Sequence, residues 1–142
     1  AGAGVDIWGA SQEVYATSQA KLRLEARVIR NMSLSDRGRV AVSTISQADF
    51  AELEAAPPDL ENMVERLRDI RGVEAAALVR ELKDGRAKAS LRSRGRVNVA
   101  AVAMEKGGGG HHNAAGLRMD GPLREAADFL AGRLSRALGE VS

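Results

Sequence analysis

At 142 residues and a net charge of +2, the chain is sized for one domain with a short appendage and is long enough to bury a substantial core. Its 44% hydrophobic and 28% charged content is that of a soluble globular protein, and with only 3% aromatics the core must be aliphatic and rich in Ala. The absence of cysteine excludes a disulfide framework, a thiolate nucleophile and a Cys-based metal site, and fits a reducing cytoplasm. No apolar run approaches the roughly 18 residues of a membrane span and no signal-peptide pattern opens the chain. The first residue is Ala, so the chain is expected to be a piece of a longer protein.

Residues 1–9 are rich in Gly and Ala and predict a loose leading segment. Residues 11–15 suit a short helix with Trp8, Val14 and Tyr15 as apolar contacts. Thr17 or Ser18 can cap a second helix running to about Asn31. In it Leu22, Ala26 and Ile29 fall at i, i+4 and i+7 on one face, and Leu24 with Val28 widen the stripe. Such a helix either joins the core or lies against a neighbouring domain. Residues 33–35, the Asp36-Arg37-Gly38 turn and residues 39–46 predict a hairpin, with Val40, Val42 and Ile45 supplying β-branched side chains. Residues 47–56 predict a weak helix. Pro57-Pro58-Asp59 then punctuates the chain and starts a better one, with Leu60, Met63, Val64 and Leu67 on one face, Ile70 following and Gly72 as the stop.

Residues 73–79 are nearly all apolar, the pattern of a strand buried on both faces. Asp84-Gly85 supplies a tight turn. The returning strand alternates, with Ala87, Ala89 and Leu91 on one side and Arg86, Lys88, Ser90 and Arg92 on the other. Asn98 can cap a helix through Lys106, on which Val99, Val102 and Ala103 face inward, and Gly107 serves as its C′ residue. Residues 115–120 predict a last strand. Gly121-Pro122 opens a final helix striped by Leu123, Ala126, Ala127, Leu130, Leu134 and Leu138. Strands mixed with helices and hairpins, with no internal repeat, indicate an α/β fold: a mixed sheet of about four or five strands packed by helices.

The feature that stands apart is the run Gly107 to Gly110, which costs about 2–4 kcal/mol relative to alanines. His111-His112-Asn113 and the small segment Ala114-Ala115-Gly116 follow at once. Backbone lacking Cβ atoms can approach a ligand closely and aim several N–H groups at one anion, the nest geometry used for phosphates. A flexible loop or a helix C-cap with spare glycines is the plainer reading. Charge favours the anion: between Arg86 and Arg118 seven basic residues meet one acid, Glu105, giving +6 there and −4 elsewhere. The two adjacent histidines are poorly disposed to share a metal ion, and no third ligand lies near them in sequence. No G-x-S-x-G elbow is present either.

Residues 107–116 resemble the GGGGHxxAAG signature of the DHH-associated C-terminal domain, first subtype, of the DHH phosphoesterases, and most of all the bacterial group of nanoRNases and 3′-phosphoadenosine-5′-phosphate phosphatases. Upstream, residues 73–82, Ser90-Leu91-Arg92-Ser93-Arg94 and Val97-Asn98-Val99 are similar to the family's strand, "SLRS" and "VDV" segments. The resemblance covers about residues 39–138. It implies a helical connector over 1–31, a substrate-binding domain over 32–142 and a five-stranded mixed sheet. It also implies that Arg92, Ser93, Gly107, Gly108, Gly109, Gly110, His111, Asn113, Ala114 and Gly116 hold the phosphate and nucleoside of a short RNA or of 3′-phosphoadenosine 5′-phosphate. The family's Asp-His-His triad is absent, since His111 follows Gly110. The resemblance therefore places catalysis in a DHH domain preceding Ala1 in cis, where Mn or Mg is expected, with no cofactor on this chain. A cytoplasmic location without a membrane is expected as well, and the full-length protein is a candidate homodimer whose oligomeric state the sequence leaves open.

The residue chemistry agrees with a ligand held by its end. Arg offers a planar fork for phosphate, and His can stack on an unpaired base. A long single-strand platform needs several exposed rings, and only Trp8, Tyr15, Phe50 and Phe129 exist, none beside the basic segment. Two other roles compete. One is a freestanding RNA- or tRNA-binding module of the kind found in alanyl-tRNA synthetases, where a different polar pattern follows the glycines. The other is an interaction domain using its first helix. RNA oligomers, 3′-phosphoadenosine 5′-phosphate and cyclic dinucleotides all remain open as substrates.

Overall fold

A six-stranded mixed sheet forms the middle of the molecule, with helices on both faces. The structure, a computed structural model, describes residues 18–141. The helix expected over 11–15, with Trp8, Val14 and Tyr15, lies outside them. In chain order the elements are α1 (Gln19–Asn31), β1 (Ser33–Ser35), β2 (Val40–Ile45), α2 (Gln47–Leu53), a 3₁₀ turn (Pro57–Leu60), α3 (Met63–Arg68), β3 (Ala75–Glu81), β4 (Ala87–Ser93), α4 (Val99–Met104), β5 (Gly109–His111), β6 (Ala114–Met119) and α5 (Leu123–Glu140). Across the sheet the order is β1-β2-β3-β4-β6-β5, and all neighbours are antiparallel except the parallel pair β2–β3. None of the described helices is long and apolar enough to cross a membrane.

Local signals decide most of these elements. Ser18 caps α1 by accepting from the Lys21 amide at 3.0 Å, and a Ser46–Asp49 capping box opens α2. The apolar run of β3 is buried on both faces, and β4 alternates strictly, with Ala87, Ala89 and Leu91 inside. Asn98 caps α4 through the Ala101 amide at 3.2 Å. The stripe of α5 packs with α4 on one face of the sheet, against Val40, Val79, Leu91 and Leu117. On the other face α1, α2 and α3 pack on β2 and β3, through Leu24, Val28, Phe50, Met63, Val64 and Leu67 against Ala41, Ile45, Ala76 and Leu78, and α3 also reaches β4. Beyond α3 that face of β4, β6 and β5 is left uncovered by the described residues.

Several sequence expectations are corrected. The sheet has six strands, not five, because Gly109–His111 joins it as an edge strand on β6. Leu22 and Ile29 of α1 are 54% and 56% exposed, and Leu24 with Val28 form the buried side instead. Polar anchors select that side: the Ser43 hydroxyl donates to the Val28 carbonyl at 2.6 Å, Asn31 Nδ2 donates to the Thr44 carbonyl at 2.8 Å, and Arg27 pairs with Asp49 and Glu52 of α2. The single helix expected from Pro57 onward is broken at Asn62, whose φ of +68° splits the 3₁₀ turn from α3. Finally, α4 ends at Met104, short of Lys106.

Candidate functional site

Strand register assembles the open face in three rows, because residues directly opposite on neighbouring strands share a face. Arg92, Ala114 and His111 form the first row, in continuation of the buried Ala76. Ser90, Gly116 and Gly109 form the second, beside Leu78. Lys88 and Arg118 form the third, beside Arg80. The middle of this surface is floored by residues with little or no side chain, so a planar group can lie against the sheet. The 3₁₀ turn and α3 wall it on one side, making a groove of about 500 Å³ lined among others by Pro58, Leu60, Glu65, Arg80, Ser90 and Arg92.

Arg92 is fixed in this groove. Its Nε donates to Glu65 Oε1 of α3 at 2.8 Å and its Nη1 to the Leu91 carbonyl at 2.9 Å, which leaves Nη2 without a partner among the described residues. Glu65 is a residue that sequence reasoning missed. Its Oε2 is buried and unpartnered, so the carboxylate is committed to one arginine. Arg80 was missed as well, although continuing the alternation of β3 past Leu78 points to it.

The other expected site residues divide. His111 lies in the row of Arg92, exposed and with no side-chain hydrogen bond among the described residues, and Ala114 and Gly116 belong to the floor. Gly109 has open space where a Cβ would stand. Gly107 and Gly108 donate their amides to the Met104 and Ala103 carbonyls at 3.1 and 2.9 Å, so they cap α4 and are not free for an anion. A Cβ on Gly108 would stand 2.3 Å from the Gly116 carbonyl oxygen, and one on Gly110 2.5 Å from that of Ala114. These two glycines let β5 approach β6. Of the four glycines expected to hold the ligand, Gly107 and Gly108 therefore have their amides engaged within the fold.

Ser93 faces away from Arg92. It is buried, its amide donates to the Asn113 carbonyl and its Oγ accepts from the Gly95 amide, both at 3.0 Å. Asn113 sits in the turn between β5 and β6 with its side chain exposed. His112 belongs to the same framework: its Nε2 donates to the Gly95 carbonyl at 2.7 Å, and its own carbonyl accepts from the Val99 amide at 2.9 Å. No three of His, Cys, Asp and Glu gather into a metal-binding group among the described residues.

The DHHA1 domain model matches residues 37–138, most of the chain and all of the sheet except β1. This chain belongs to the DHHA1 domain family. It is 28% identical over 120 residues to the "Bifunctional oligoribonuclease and PAP phosphatase NrnA" of Thermus thermophilus, a match covering 84% of this chain and 35% of that protein. Among solved structures, an exopolyphosphatase-related protein from Bacteroides fragilis superposes with a TM-score of 0.83 at 27% identity, over 97% of this chain and 41% of that one. RecJ from Thermus thermophilus, in complex with Mn²⁺, shares the fold with a TM-score of 0.59 at 15% identity, over 94% of this chain and 18% of RecJ. The chain thus spans about a third of the length of its curated relative.

Proposed function

We propose that this DHHA1 domain is the substrate-binding half of a DHH-family phosphoesterase, holding the phosphate and nucleoside of a short RNA or of 3′-phosphoadenosine 5′-phosphate. The observation that carries the reading is the first row of the open face. There Arg92, held by Glu65, presents its remaining donors in one row with His111, whose side chain has no partner among the described residues, over a floor of Ala114, Gly116 and Gly109. A guanidinium braced at Nε offers its outer edge to phosphate with little orientation left to lose. The small floor accepts a base or ribose, and His111 can stack on it or donate to the phosphate. The name of the relative NrnA, an oligoribonuclease and PAP phosphatase, supports a nucleotide ligand.

Cleavage belongs, in this reading, to an N-terminal DHH domain in cis that binds Mn or Mg. In the same reading, the task of this chain's residues is to bind and orient. A cytoplasmic location and a homodimer of the full-length protein go with the same reading.

The test is affinity for a dinucleotide, measured calorimetrically. Arg92→Lys retains charge but loses the fork, and a lysine ammonium would be drawn to Glu65 instead of the ligand. A charge-assisted contact contributes about 1.5–3 kcal/mol, so we expect binding to weaken at least about tenfold, equivalent to ~1.4 kcal/mol. Arg86→Lys, whose guanidinium pairs with Asp120 at 3.4 Å outside the groove, should change nothing measurable. If both substitutions behave alike, Arg92 is only one more surface charge and the reading fails. Tighter binding of tRNA than of dinucleotides would instead favour the freestanding tRNA-binding role.

A further inference from the structure

The third row of the open face has a composition that folding alone does not explain. Arg80 of β3, Lys88 of β4 and Arg118 of β6 stand directly opposite one another on three adjacent strands and on one face. None of the three makes an ion pair among the described residues, whereas the flanking Arg86 pairs with Asp120 and Arg92 with Glu65. Like charges opposite each other in a sheet are destabilising. Burial, and then the charge of Arg118, hold the Arg80 guanidinium below its ordinary value. Lys88 lies where two depressions meet. One is the groove under α3; the other is a cleft of about 380 Å³ that Lys88 and Arg118 share with Lys106 and the Gly107-Gly108 backbone.

We propose that Arg80, Lys88 and Arg118 form a second anion site, which takes a further phosphate of a nucleotide whose first phosphate lies at Arg92. The proposal rests on the reading of Arg92 given above. Lys88 stands four residues from Arg92 along β4, a separation of about 13 Å. Between them lie only Ser90 and the floor of Gly116 and Gly109. A ligand that fills both sites therefore carries two phosphates with at least one nucleoside between them, laid along the strand. The chemical class is an oligonucleotide with a terminal phosphate, in preference to a nucleoside monophosphate or an unphosphorylated dinucleotide.

The test compares binding of ApA, which has one phosphate, with that of pApApA, which has three, by titration calorimetry at fixed salt. Wild-type chain should bind pApApA at least about tenfold more tightly. In the double variant Lys88→Gln/Arg118→Gln that preference should collapse to less than about threefold, with affinity for ApA changed less than twofold. The exchange variant Lys88→Arg/Arg118→Lys should retain the preference. Melting of the double variant should occur at or above the wild-type temperature, since a like-charge pair has been removed. Loss of ApA binding in Arg92→Ala tests the first site separately. An undiminished preference in the double variant overturns the second site and leaves the Arg92 reading standing. Failure of wild type to bind ApA, with pApApA binding still lost in the double variant, overturns the Arg92 site and supports the row. Failure to bind either ligand overturns both.

Discussion

The two adjacent histidines show how little sequence neighbours need share. His112 ties the turn between β5 and β6 to the Gly95 loop and to the start of α4, through its ring and its carbonyl. The His111 side chain, one residue earlier, makes no hydrogen bond among the described residues and stands on the open face of an edge strand. Removing the His112 ring forfeits one hydrogen bond, a net contribution of about 1 kcal/mol, and should lower the melting temperature by a few degrees. His111→Ala should leave the melting temperature within a degree or so while weakening dinucleotide binding severalfold. Thermal scans and calorimetry on the two variants check this, and a larger melting shift for His111 than for His112 would reverse the assignment. In the sequence, Arg92 was legible because alternation in β4 sets it on the polar side. Glu65 was not, because it meets Arg92 across 27 residues and two elements, a pairing that only the placement of α3 over β3 creates.

At the scale of elements, β5 is a strand made of two glycines and a histidine, with neither alternation nor intrinsic β preference to announce it. It exists because β6 offers it an edge and because Gly108 and Gly110 allow the backbones to close. Ala at Gly108 would drive a Cβ into the Gly116 carbonyl, so Gly108→Ala should destabilise the fold by about 1–3 kcal/mol, as overpacking does. At Gly109 the space is open, and Ala there should be neutral or stabilise by up to about 1 kcal/mol through the unfolded chain. Its methyl would nevertheless stand on the open face in the row of Ser90 and Gly116, so dinucleotide affinity should drop. Urea unfolding and calorimetry separate the two effects. Equal destabilisation by both substitutions would show that the run is sensitive as a whole, not position by position. The orientation of α1 was illegible for a related reason. Leu22, Ala26 and Ile29 make a proper apolar stripe, but the hydrogen bonds of Ser43 and Asn31 and the Arg27 pair, formed with residues far along the chain, turn the helix to bury Leu24 and Val28.

For the whole molecule, the division of labour between the two faces follows from β3 and β4. The unbroken apolar run of β3 requires cover on both sides, and the alternation of β4 requires it on one, so among the described residues the second helical layer stops at α3 and leaves the rest of that face uncovered. That asymmetry was legible in sequence, whereas the register aligning the three rows was not. Carboxylate–arginine pairs tie neighbouring helices within each layer and brace the turn between β1 and β2, which makes the fold sensitive to acid. Asp49 is raised by burial, but the Ser46 amide and the Arg27 side chain outweigh that and hold it below its ordinary value. The hydrogen bond from Arg39 lowers Asp36 in the turn between β1 and β2, and that from Arg133 lowers Glu105 between α4 and α5. A carboxyl whose folded-state pKa is depressed binds fewer protons folded than unfolded in the window between the two values, so stability there rises with pH. Its contribution is complete above the unfolded values of about 4 and disappears as pH falls through the lowered folded ones. The urea midpoint should therefore be flat from about pH 7 to pH 5 and fall progressively below about pH 4. Asp49→Asn cannot lose a charge on acidification, and should show a lower midpoint at pH 7 with a shallower decline below pH 4. If that variant declines as steeply as wild type, the acid sensitivity comes from general charge repulsion and not from these carboxylate–arginine pairs.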